Sequence, residues 1–230
     1  MLFDPIYLLF IAPGFALSLW ASMRVKSAFN KYSKVRSARG LTGAEAAEEM
    51  LRFAGISDVK IVRHHGMLTD HYNPTNKTLA LSEQVYDSTS LAAVGVATHE
   101  AGHAIQHARN YAPLWIRSAL VPTASIGSSL GYMVMLFGLF MASTNMVLAG
   151  AIMFSAVLLF QIVTLPVEFN ASSRAKVLVV ENGIVTAQER QGIDKVLNAA
   201  AMTYVAAAVS TLLTLLYFLM RSGLLGGRRD

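Results

Sequence analysis

The run Thr98-His99-Glu100-Ala101-Gly102-His103-Ala104-Ile105-Gln106-His107 contains the pattern H-E-x-x-H between His99 and His103. Apolar residues Leu91 to Ala97 precede it, and Ser88 to Ser90 offer a helix start, so the spacing predicts one helix to about Asn110. Pro113 ends any continuation. On a helix, residues four apart share a face, so both imidazoles can reach one metal ion. Glu100 lies near the same spot and can act as a base toward water without being a ligand. The apolar part of this helix is too short for a bilayer, and His, Glu, Gln and Arg follow within two turns. It reads as the buried helix of a compact domain.

A catalytic zinc ion needs a third protein ligand and one open position. His107 continues the four-residue spacing but lies another turn, about 6 Å, along the axis, too far for one tetrahedral ion. The pattern H-E-x-x-H-x-x-G-x-x-H fails, because Gln106 and Arg109 stand at its last two positions. The strongest candidate is Glu168, with His64, His65 and His71 as rivals and Glu181 as a weaker one.

Glu168 draws its place from the apolar runs. The chain has 230 residues, of which 54% are hydrophobic and 14% charged. A soluble domain is nearer a quarter charged. The excess lies in four runs, about Ile6–Met23, Ala119–Met141, Met146–Val167 and Ala199–Met220, each long enough to span a bilayer. Asp4 precedes the first run, whereas Arg24, Lys26, Lys31, Lys34, Arg36 and Arg39 follow it. That asymmetry predicts an uncleaved anchor with its N-terminus outside and the next segment in the cytoplasm. Arg221, Arg228 and Arg229 after the fourth run oppose this orientation, but six charges after the first span outweigh three. Runs two and three form a hairpin that returns Glu168 to the side from which the H-E-x-x-H helix leads into run two. Gly127 and Gly131, four apart, allow close helix packing there.

Between the first run and the motif, Leu41 to Ser57 reads as a helix capped by Thr42 and Glu45 and stopped by Gly55. Asp58 to His64 reads as a strand, Met67 to Tyr72 as a segment pairing back on it, and Asn73-Pro74-Thr75-Asn76 as a turn. Lys77 to Ser82 is expected to be the strand beside the cleft, pairing with an extended substrate. Absence of Cys excludes disulfides and thiolate ligands. The net charge of +5 comes with no nucleic-acid motif.

The runs T-D-H-Y-N-P-x-x-K-x-L-x-L-S from Thr69, H-E-A-G-H-A-I-Q-H from His99, L-P-V-E-F-N-A-S-S-R-A from Leu165 and V-L-N-A-A-A-M-T-Y-V-A from Val196 resemble the YugP-type family of neutral zinc metallopeptidases. The resemblance covers nearly the whole chain. The family is similar in turn to membrane gluzincins of the heat-shock and CAAX-protease type, in which an H-E-x-x-H helix, a membrane hairpin and a ligand Glu in E-x-x-A-D follow one another. Glu168 and Ala171 match that pattern, but Ser172 stands at the Asp position. The Asp would orient a histidine ligand, so Ser172, Asn170 or Asp70 must serve instead.

The expected fold is a mostly α membrane protein with four transmembrane helices and a small α+β gluzincin-like cytoplasmic domain. The expected segments are an anchor (1–23), a metallopeptidase domain (24–117), a membrane hairpin (118–167), a cytoplasmic helical segment with the third ligand (168–198) and a last span with its tail (199–230). The expected function is zinc-dependent peptide hydrolysis on the cytoplasmic side of a prokaryotic plasma membrane. Zn²⁺ is held by His99, His103 and Glu168, Glu100 is the base, and Tyr72, His71, His107 and Arg174 are candidates to stabilise the oxyanion. The substrate is a protein or peptide, membrane proteins included. An oligomer or a regulatory membrane partner is compatible with this reading. The alternative is a catalytically silent zinc-containing scaffold, against which an intact Glu100 argues.

Overall fold

A computed structural model describes residues 5–225; Asp4, Arg228 and Arg229, on which part of the charge argument rests, lie outside them. The described chain is mostly helical with one small sheet. Its helices are α1 (Pro5–Tyr32), α2 (Gly43–Phe53), α3 (Glu83–Tyr86), α4 (Leu91–Ala108), α5 (Ala112–Ile126), α6 (Tyr132–Phe140), α7 (Thr144–Glu181) and α8 (Ala187–Arg221). A five-residue π-helical segment, Gly127–Gly131, joins α5 to α6. The strands are β1 (Lys60–His64), β2 (His71–Asn73) and β3 (Thr78–Ser82). Four stretches are long and apolar enough to cross a membrane: Pro5–Tyr32, Ala112–Phe140, Thr144–Glu181 and Ala187–Arg221. The chain divides into two compact units.

One unit comprises Met1–Ala21, Trp115–Leu165 and Thr203–Asp230. Its core holds Met135, Val147, Phe154, Tyr217 and Phe218, while Leu9, Phe15, Phe137 and Ile152 face outward. Large outward apolar side chains suit lipid, where burial inside protein gives helices no advantage over hydrocarbon. Gly127 and Gly131 act as their spacing predicts. A Cβ at Gly127 would collide with the Met153 carbonyl, and one at Gly131 with the Phe154 amide, so the hairpin helices touch backbone to backbone.

The other unit comprises Ser22–Leu114 and Pro166–Met202. α2 begins in a complete capping box: the Thr42 amide donates to Glu45 Oε2 at 2.8 Å, and the Glu45 amide donates to Thr42 Oγ1 at 3.2 Å. Gly55, at φ +74°, turns the chain after it. The same device, from Thr186 and Glu189, starts α8. Ser90 caps α4 by accepting from the Ala93 amide at 3.2 Å. Nearly all of α4 is buried in a core with Met50, Leu79, Leu81, Val179 and Ile193. Packing on every side explains a helix apolar through most of its circumference that still belongs to a domain interior.

The sheet departs from expectation. Its order is β1-β3-β2, with β1 parallel and β2 antiparallel to β3. The segment after Gly66 therefore pairs forward with β3 across the Asn73–Asn76 turn, not back onto β1. β3 is the central strand and is bonded on both sides, which corrects the expectation that Lys77 to Ser82 offers an edge to substrate. Burial is the reason: Leu79 to Ser82 are all buried against α4 and its neighbours, whereas β1 is largely exposed.

Candidate metal centre

His99 and His103 lie one turn apart on α4, with ring centroids 4.8 Å apart at 81°. Glu168 projects from α7 between them. Its Oε2 is 3.2 Å from His99 Nε2 and 3.6 Å from His103 Nε2. One donor atom from each residue lies within 4.8 Å of the others. Glu168 is 2% exposed and His103 7% exposed, so the cluster is an interior one. Among the described residues it is the one such group of three.

The donor set fits zinc: two imidazoles, one carboxylate and no thiolate. The two oxygen–nitrogen distances bracket the roughly 3.3 Å that separates ligands of a tetrahedral ion bound at about 2.0–2.1 Å. Electrostatics agree. Burial pushes the His103 imidazole down, but its attraction to the Glu168 and Glu100 carboxylates outweighs burial and holds it above the ordinary histidine pKa. The pocket therefore favours a positive charge. Glu100 is buried beside it on α4.

Each imidazole has a partner on its outer nitrogen. Ser172 Oγ lies 3.1 Å from His99 Nδ1, standing where the E-x-x-A-D pattern has Asp. Gln106 Oε1 lies 3.0 Å from His103 Nδ1. Such partners orient ligand rings. Asp70 does not join them: its carboxylate accepts from the Ser82 amide at 2.7 Å and the Ser82 hydroxyl at 3.0 Å, holding the end of β3. Asn170 acts at one remove, accepting from Gln106 Nε2 at 3.0 Å. Gln106 is the residue that sequence reasoning missed as a partner. Its signal was its place three residues after His103, on the same face of the helix.

The rival ligands are elsewhere. His64, His65 and His71 are exposed. His64 and His71 stack edge to face at 5.4 Å, and His71 Nδ1 donates to the Thr69 carbonyl at 2.9 Å. His65 pairs with Glu83 at 3.0 Å. Glu181 is exposed at the end of α7. His107 Nδ1 is instead 2.7 Å from the Tyr72 hydroxyl. Together with Asp58 and Lys77, which form an ion pair, these two line a polar cleft of about 340 Å³. Burial, with the charge of Asp58, pushes the Tyr72 hydroxyl up to about 12, so it remains a hydrogen-bond donor at neutral pH. Arg174 Nε donates to Asn170 Oδ1 at 2.8 Å.

The family described as "Putative neutral zinc metallopeptidase" matches residues 7–223. The chain belongs to this family. A relative within reach of close comparison, "Putative membrane protease YugP" of Bacillus subtilis (strain 168), is 48% identical over 204 residues, which is 89% of this chain and 91% of that protein. No solved structure matches.

In this member of the neutral zinc metallopeptidases, α4 and α7 meet at Gly102. A Cβ there would stand 2.7 Å from the Ala171 carbonyl oxygen, a backbone atom that cannot swing aside. Gly102→Ala is expected to force the helices apart, costing about 1–3 kcal/mol and separating Glu168 from both histidines. Zinc content and thermal unfolding of the purified variant test this; a variant with both at wild-type values would show that the contact is not needed.

Proposed function

We propose that the chain is a membrane-anchored zinc endopeptidase of gluzincin type, with its active site in the cytoplasm. The convergence of His99, His103 and Glu168 in one buried cluster carries the reading. Two of these residues come from an H-E-x-x-H helix, and the third comes from a helix beyond a membrane hairpin. The family supports the chemistry through its description, and peptides or proteins follow as the substrate class. The B. subtilis relative supports the membrane setting through its name.

In the mechanism, His99, His103 and Glu168 would hold the ion through Nε2, Nε2 and a carboxylate oxygen. When bound, zinc supplies a Lewis acid that polarises the scissile carbonyl and acidifies water. Glu100, adjacent in sequence to His99 but outside the ligand set, accepts a proton from the attacking water and returns it to the leaving amine nitrogen. Tyr72, His71, His107 and Arg174 remain the candidate donors to the developing oxyanion. Ser172 and Gln106 keep the two imidazole rings oriented. Purified protein is expected to carry about one zinc per chain, the stoichiometry of a mononuclear catalytic site. Full occupancy in a double His99→Ala/His103→Ala variant would remove the basis for this reading.

The proposed orientation puts residues 24–117 and 168–198 in the cytoplasm. Six basic residues between Arg24 and Arg39 support it. The chain has no cysteine, so Ser57→Cys and Asn145→Cys each introduce a single thiol, both at exposed positions. A membrane-impermeant maleimide is expected to label position 145 in intact cells and position 57 only after permeabilisation. The opposite pattern would place the site outside.

A further inference from the structure

We infer that Gln106 is a positioning residue of this site, one that sets the tautomer of His103 through a chain of hydrogen bonds ending on Arg174. The inference rests on the metal site proposed above, and it concerns how one ligand is prepared.

The chain can be read from its far end, where the chemistry is unambiguous. Arg174 Nε can only donate, and it lies 2.8 Å from Asn170 Oδ1. That atom of Asn170 is therefore the carbonyl oxygen, an acceptor. Gln106 Nε2 lies 3.0 Å from the same oxygen and 2.8 Å from the Val167 carbonyl, another group that can only accept. Both N–H bonds of the Gln106 amide are thereby committed, which fixes which end of the amide is nitrogen. Its oxygen is left facing His103 Nδ1 at 3.0 Å. An amide oxygen cannot donate, so Nδ1 must carry the hydrogen. When the ring acts as a metal ligand, its proton therefore stays on Nδ1 and its lone pair is at Nε2, the nitrogen that faces Glu168.

Gln106 is 0% exposed, and every polar atom of its side chain is used. Leaving any one of these buried polar atoms without its partner is unfavourable, so the orientation of the amide is stable. His99 is treated differently. Its Nδ1 faces the Ser172 hydroxyl at 3.1 Å, and a hydroxyl can donate or accept, so Ser172 orients the ring without choosing its tautomer. The Gln106 bonds also tie His103 to Val167 and Asn170, which flank Glu168 on α7. One amide thus holds ligands from two helices in register.

The test uses the full-length protein in detergent with zinc alone as the probe. Zinc affinity is read by chelator competition. Protection of the His103 Nδ1–H from exchange is read by NMR on metal-free protein with labelled histidine. Gln106→Met keeps the volume and removes the amide. It is expected to weaken zinc binding about 10- to 100-fold, the range for partners of metal ligands, and to lose the protected Nδ1–H. Asn170→Asp keeps an acceptor for both Arg174 and Gln106, and it is expected to keep both readouts near wild type. A Gln106→Met protein with wild-type affinity and a protected Nδ1–H would overturn the inference. If that variant does not fold, Gln106→Leu, of similar size, removes the same amide; unchanged readouts there would overturn it equally. If wild-type protein binds no zinc, the metal reading falls, while the Nδ1–H measurement still decides whether the Gln106 oxygen holds that hydrogen.

Discussion

Glu100→Gln is expected to retain zinc at wild-type stoichiometry and to lose peptide hydrolysis by about 10²- to 10⁴-fold, the usual contribution of a general base. The two effects separate because Glu100 lies on the motif helix beside the ligands but not among the three close donors. Gln has the same shape and is uncharged, so the helix and its packing persist while the proton acceptor disappears. Loss of the Glu100 charge also removes one of the influences that raise the His103 pKa. Zinc content and turnover of a fluorogenic peptide, measured on one preparation, give the answer. A variant that hydrolyses peptide at the wild-type rate would exclude Glu100 as the base, and a catalytic role for the cluster would need another acceptor.

Glu168→Ala is expected to have the largest effect on the metal itself. Changing a residue that only supports a ligand costs about 10- to 100-fold in affinity; removing one of three ligands should exceed the upper end of that range. The Glu168 carboxylate touches both imidazoles, at 3.2 and 3.6 Å, and no second carboxylate joins them in the cluster. His107→Ala is the contrasting variant. His107 lies on the same helix and extends the same spacing, but it bonds Tyr72 and does not join the cluster, so zinc should remain. Metal analysis of the two variants side by side distinguishes the assignments. Zinc kept in Glu168→Ala and lost in His107→Ala would overturn the assignment of Glu168 as the third ligand.

Much of this architecture was legible in the chain because it depends on near neighbours. Periodicity places His99 and His103 on one face of α4, and four apolar runs are long enough to cross a bilayer. The Thr42–Glu45 box and Gly55 bound α2 through contacts a few residues apart. Even the choice of Glu168 followed from counting spans, since a hairpin must return to the side it left. Other features depend on which surfaces meet. The sheet order β1-β3-β2 could not be read from alternation, because each strand pattern is compatible with several neighbours; burial of β3 against the core selected it. Which of Ser172, Asn170 and Asp70 faces His99, and that Gln106 faces His103, emerged only where α4 and α7 come close enough for Gly102 to approach Ala171. A side chain's type states which hydrogen bonds it can make. Only the approach of two helices far apart in sequence determines which partner is within 3 Å, and therefore which nitrogen of His103 is left to face Glu168.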